Sequence, residues 1–122
     1  MSRKIVAKYY GTEINEKWWK RYKKDGMFVR GNGTFSYNEQ SISFFRLLNS
    51  TSIIIDFQKI LEFKIGKWHA GQWGVGKPII KILWKKDNQI LSSGFSLCIE
   101  SVEIEMILSE LNEIKESNKR SL

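Results

Sequence analysis

The residues best equipped for chemistry gather between 66 and 78. Lys67, Trp68, His69, Gln72, Trp73 and Lys77 sit on a segment that also holds four glycines and the only proline. Part of it, Gly71-Gln72-Trp73-Gly74-Val75-Gly76-Lys77, satisfies G-x-x-x-x-G-K, the opening of a phosphate-binding loop. That chemistry needs a Ser or Thr next, to ligate magnesium, and a helix whose N-terminal amides face the phosphate. Here Pro78 follows, and Ile79-Ile80-Lys81-Ile82-Leu83-Trp84 reads as a strand. The match is therefore one of composition only. What remains is an aromatic and cationic group on a flexible segment, suited to ligand contact through stacking or cation–π interactions. The same pattern also suits Trp68 and Trp73 folding back over a sheet edge.

Other reactive residues are sparse. His69 is the only histidine and Cys98 the only cysteine, so no ligand set with metal-binding spacing arises. A Cys–His nucleophile pair would need the two to meet by accident of folding. Ser92, Ser93 and Ser96 lie in a strand-like stretch rather than on a nucleophile elbow. The expectation is a protein that is not an enzyme, with no catalytic residues, no metal and no cofactor. A second candidate surface is the basic aromatic run Trp19, Lys20, Arg21, Lys23 and Lys24, preceded by Trp18, which could lie on an anionic surface.

Several elements must position these groups. Residues 1–11 read as a loose lead-in. Thr12–Asp25 reads as a short helix, with Thr12 as cap, Glu13 and Glu16 near its positive end and Ile14, Trp18 and Tyr22 at i, i+4 and i+8. From Met27 the period becomes two. Strands are expected over 27–37 (interrupted by a turn or bulge at Asn32-Gly33), 41–48, 52–57, 60–67, 78–86 and 89–97, with turns at 38–40, 49–50 and 87–88. Ser101 opens the last element, a helix with Ile104, Ile107, Leu108, Leu111 and Ile114 on one stripe and Glu103, Glu110 and Glu113 largely opposite. Two segments follow: 1–26, a basic lead-in and helix, and 27–122, six or seven antiparallel strands closed into a barrel and capped by the helix. One structural domain is expected from 122 residues, because halves would bury too little surface.

The strand run that opens with Gly33-Thr34-Phe35-Ser36-Tyr37-Asn38 and Ser41-Ile42-Ser43-Phe44-Phe45, continues through Ile53–Ile60 and ends in one helix resembles the pleckstrin-homology superfold. It is closest to that superfold's GRAM-like and bacterial PH-like branches. The resemblance spans about residues 27–118. It implies a binding module for phosphoinositides, other anionic lipids or peptides. The basic residues of the phosphoinositide-binding pattern are reduced here to Arg30 in the first hairpin and Arg46 at the next strand's end.

Charge narrows the choice of partner. The net charge is +7, with residues 1–25 contributing +5, 26–99 another +5 and 100–122 −3. Such a field favours anionic partners, whether lipid headgroups, nucleic acid or an acidic protein surface, and charge alone does not choose among them. A single cysteine suits a reducing compartment, and no run approaches the roughly 18 apolar residues of a membrane span. No signal peptide is expected. The reading is a cytoplasmic, PH-like adaptor module that engages an anionic partner, with peripheral membrane association open. Single-stranded nucleic-acid binding and carriage of a hydrophobic ligand are the alternatives.

Overall fold

The structure, a computed structural model, describes residues 3–24, 27, 29–46 and 52–120. The chain runs through β1 (Arg3–Ile14), β2 (Lys17–Arg21), β3 (Gly31–Tyr37), β4 (Ser41–Arg46), β5 (Ser52–Asp56), a 3-10 turn at Phe57–Lys59, β6 (Ile60–Gly66), β7 (Trp68–His69), β8 (Gln72–Trp73), β9 (Ile79–Lys86), β10 (Gln89–Leu97) and α1 (Ser101–Arg120). Positions 47–50, where a strand end and a turn were expected, lie outside the described residues.

The N-terminal segment overturns two expectations. Residues 3–14 are no loose lead-in but the middle strand of the sheet, paired with β3 on one side and β10 on the other. Nor is there a helix over 12–24, the described part of the segment expected to form one. Asn15 and Glu16, both at positive φ (53° and 57°), make a two-residue hairpin turn that sends the chain back as β2. Turns of this hand match the twist of antiparallel strands. The alternation of β1 is broken because its pairing with β10 slips between Tyr9 and Gly11. This bulge puts Tyr9 and Thr12, three residues apart, on the same inner face.

Among the described residues the main sheet has eight strands in the order β5-β4-β3-β1-β10-β9-β6, with β2 added on β1, and it is not closed into a barrel. The chain passes from β5 to β6 through the 3-10 turn, and these two edge strands do not pair with each other. α1 packs on that turn and on β6. It lays Ile104, Ile107 and Leu111 into the core, so a helix covers the opening that strand pairing would otherwise have shut. A helix stripe of this kind is stable only where it is buried, which is why the 3.6-residue pattern was so legible.

The sheet's inner face is filled by rings. Tyr9 and Phe44 have centroids 5.8 Å apart, Tyr9 and Phe95 5.2 Å, and Phe35 and Phe95 5.4 Å. One polar chain threads this core. Tyr9 donates to the Met27 carbonyl (2.8 Å), which fixes the direction of the remaining bonds. Thr12 therefore donates to Tyr9 (2.6 Å), Ser93 donates to Thr12 (2.7 Å), and Trp84 Nε1 donates to Ser93 (3.0 Å). Burial pushes the Tyr9 phenol up to about 12, against the opposing pull of the Thr12 hydroxyl and the charges of Arg46, Arg21 and Arg30. The core thus holds a neutral phenol, and its bonds tie Met27, between β2 and β3, to the sheet.

Candidate functional site

The segment between β6 and β9 is a built object rather than an open loop. Trp68–His69 and Gln72–Trp73 pair as a miniature hairpin around Ala70-Gly71, both at positive φ (50° and 80°). Gly74 N–H donates to the Lys67 carbonyl (2.8 Å) and closes its base. The tip is held on both sides of one residue. Ala70 N–H donates to Glu13 Oε2 (2.7 Å), and the Ala70 carbonyl accepts from Arg30 Nη2 (2.5 Å). Arg30 Nε also donates to the Tyr10 carbonyl (2.9 Å), so the hairpin is bound to β1 through a charge at each end of the clamp.

His69 is the hairpin's anchor and not a surface ligand. Its residue exposure is 1%, and its ring lies on Gly94 of β10, where any β-carbon would overlap it. Nε2 donates to the Gly11 carbonyl (3.0 Å), and since a carbonyl only accepts, Nε2 carries the proton. Nδ1 is 3.7 Å from Glu13 Oε2. Burial holds the imidazole below its ordinary pKa, and Lys81 adds to this. The Glu13 carboxylate and the carbonyls of Gly11 and Ser92 pull the other way. The hairpin also explains the serines. Ser92, Ser93 and Ser96 lie in β10, as a strand-like stretch implies, and all three are buried. Ser93 faces the inner polar chain, whereas Ser92 pairs with Glu13 across the β1–β10 ladder.

The clamp leaves the tryptophans outside. Trp68 is 61% exposed and Trp73 48%, their rings stacked at 6.2 Å. On the neighbouring β2, Trp18 is 61% exposed and Trp19 60%, in an edge-to-face pair at 5.7 Å. The two pairs adjoin, since the Trp18 ring lies over Gly71 at the hairpin tip, 3.4 Å from where a β-carbon would stand. Lys17, Lys20, Lys67 and Lys77, on or next to the same segments in sequence, are exposed, as are Lys23 and Lys24 after β2. Gln72 and Arg21 are half-buried. Burial lowers the pKa of the Arg21 guanidinium, as does the nearby charge of Arg30.

The two candidate surfaces expected separately are thus one surface, joined by Trp18. Between β2 and the hairpin lies a cleft of about 470 Å³, lined by Glu13, Glu16, Trp18, Trp68, Gly71 and Lys81 along with His69 and Ala70. The importance of Glu13, Glu16, Arg30 and Lys81 could not be seen from sequence. A helix over 12–25 places the two glutamates differently, and nothing local marks Arg30 or Lys81 as partners of the hairpin. Among the described residues, no group of three or more His, Cys, Asp or Glu side chains could hold a metal ion. No helix among them is long and apolar enough to cross a membrane.

What fold and surface define together is a mainly β chain. An open antiparallel sheet is covered by a C-terminal helix, and a tryptophan–lysine surface is clamped to the outer side of the central strands. No family model matches the chain, and no curated protein does.

Proposed function

We propose that this chain is a non-enzymatic, PH-like binding module that docks peripherally on an anionic membrane surface, on the cytoplasmic side. The observation that carries the reading is that four of the five tryptophans stand about half or more exposed on two adjoining hairpins, with Lys17, Lys20, Lys67 and Lys77 exposed on or next to the same segments. Exposed indoles have their natural solvent at the membrane–water interface, where the ring is buried and the N–H stays wet. Each lysine close to an anionic leaflet contributes about 1 kcal/mol, so the attraction grows with the number of Lys17, Lys20, Lys67 and Lys77 that face it. The antiparallel run of strands ending in a docked helix supports the PH-like part of the reading.

The alternatives fit less well. Single-stranded nucleic acid would need a basic groove beside its stacking platform. Here the cleft between the indoles contains Glu13 and Glu16, which repel a phosphate backbone. A hydrophobic carrier would need interior space, and the inner face is occupied by Tyr9, Phe35, Phe44 and Phe95. The test is co-sedimentation of the full chain with phosphatidylglycerol-containing vesicles across a salt series. Binding should fall as salt rises and weaken further in the Lys20→Glu, Lys23→Glu, Lys24→Glu triple variant. Absence of retention at low salt would remove the membrane reading.

A further inference from the structure

The cleft beside Trp18 differs in charge from everything around it. The molecule carries +7, yet two carboxylates and one ammonium line this cleft. The three charges are not mixed at random. Glu13 and Glu16 come from the end of β1 and its turn, while Lys81 comes from β9, with β10 between. Two strand spacings, about 10 Å, therefore separate Glu13 from Lys81 at backbone level. Glu13 is buried and fixed by the Ala70 N–H, so its charge cannot swing out to solvent. Glu16 reaches to Lys64 (3.0 Å), the residue opposite Lys81 in the β6–β9 ladder, so its charge lies toward the lysine side and is offset there by Lys64. Lys81 is drawn to the far side, its Nζ 3.1 Å from where a β-carbon on Gly66 would stand. The indoles of Trp18 and Trp68, both exposed, form the apolar walls.

We propose that this cleft is a binding site for a phosphocholine-type zwitterion, free or as a lipid headgroup. The quaternary ammonium would lie against Trp18 and Trp68 above Glu13, with the phosphate toward Lys81. A quaternary ammonium has no N–H to donate, so hydrogen-bonding groups gain nothing from it. It is recognised by indole faces and by a nearby negative field. The phosphate supplies an anionic partner for the Lys81 ammonium. The space is ample for such a headgroup, within the usual range of about 300–1,000 Å³ for small-ligand sites. The proposal rests on the membrane reading only for the source of the headgroup. The cleft itself can be tested in free solution.

The experiment uses the full chain labelled at its indole nitrogens and titrated separately with phosphocholine, choline and inorganic phosphate. Phosphocholine should shift the Trp18 and Trp68 indole signals saturably while Trp84, buried in the core, stays in place and reports an intact fold. Choline should shift the same two signals at least tenfold more weakly, and phosphate should shift neither. Trp18→Ala should weaken phosphocholine binding at least tenfold. Lys81→Gln should bring phosphocholine down to the affinity of choline and leave choline unchanged. No saturable shift with phosphocholine, or equal shifts with phosphate, would overturn the proposal, as would a Lys81→Gln variant that binds all three like the wild type. Vesicles separate the two claims. Sedimentation with phosphatidylglycerol vesicles but no phosphocholine response removes the cleft proposal alone, and the reverse removes the membrane reading alone. Retention on phosphatidylcholine vesicles, competed by free phosphocholine, identifies the lipid as the source. Retention that phosphocholine does not compete overturns the headgroup assignment.

Discussion

Replacing Tyr9 by Phe removes one oxygen from the middle of the core and keeps the ring that packs on Phe44 and Phe95. Two groups then lose their partner. The Thr12 hydroxyl has no acceptor for the proton it gave to Tyr9, and the Met27 carbonyl has no donor. The vacated space is a single oxygen, too small for a water with two or more partners. A buried polar group left unsatisfied costs about 1–3 kcal/mol, and the variant no longer has to desolvate the phenol, so the net loss should be about 2 kcal/mol. With a urea m-value in the ordinary range of about 1–3 kcal/mol/M, the unfolding midpoint should fall by about 1 M. Thr12→Val should cost a similar amount. The double variant should cost clearly less than the sum, because both changes break the same chain. A Tyr9→Phe midpoint within 0.2 M of the wild type, or strict additivity, would refute a continuous hydrogen-bond chain from Trp84 to Met27.

Other consequences are equally direct. Leu111→Asp should lower stability by several kcal/mol, the scale for an unpaired charge in a core, and an unchanged melting temperature would mean that α1 is not docked where it lies. His69 is held below its ordinary pKa, so the unfolded chain binds the extra proton first. The stability tied to this ring is complete above about pH 6.5 and is lost as pH falls toward the depressed folded value. Melting temperatures measured from pH 7.5 to 5 should show an acid loss that is reduced in His69→Asn, and parallel curves would contradict it. Glu13→Ala removes the acceptor for the Ala70 N–H and should speed amide exchange at Ala70 and Gln72 without altering exchange in β3 or β4. Uniform exchange rates across both regions would show that the clamp does not hold the hairpin.

The parts of the fold that could be read from sequence are those where one period runs unbroken. α1 begins at Ser101 as its stripe requires, and β10 spans Gln89–Leu97 with its turn at Asp87-Asn88, both in the left-handed region expected of such a hairpin. β1 was hidden for a physical reason. The bulge after Tyr9 resets its alternation, and Ile14, Trp18 and Tyr22 happen to recur at helical spacing on what is a hairpin. Misreading this segment also hid that the sheet stays open, since the number and order of strands depend on β1. The residue types of the candidate surface were legible, but the exposure of Trp68 and Trp73 was not, since the same pattern suits rings folded back over a sheet edge. His69 was grouped with the contact residues of its loop because a lone histidine in a glycine-rich segment carries no local mark of burial. Only the third dimension sets it on Gly94 and brings Trp18 over Gly71.

The membrane reading stands most directly on where the indoles go when the protein meets a bilayer. The measurement is quenching of tryptophan emission by brominated acyl chains in phosphatidylglycerol-containing vesicles, with the full chain at low salt. Trp18, Trp19, Trp68 and Trp73 are exposed and only Trp84 is shielded in the core, so most of the emission should shift to the blue and be quenched, and the effect should reverse on raising salt. Vesicle-bound protein whose emission is neither shifted nor quenched would show that another face makes contact, and protein that stays unbound would contradict membrane docking altogether.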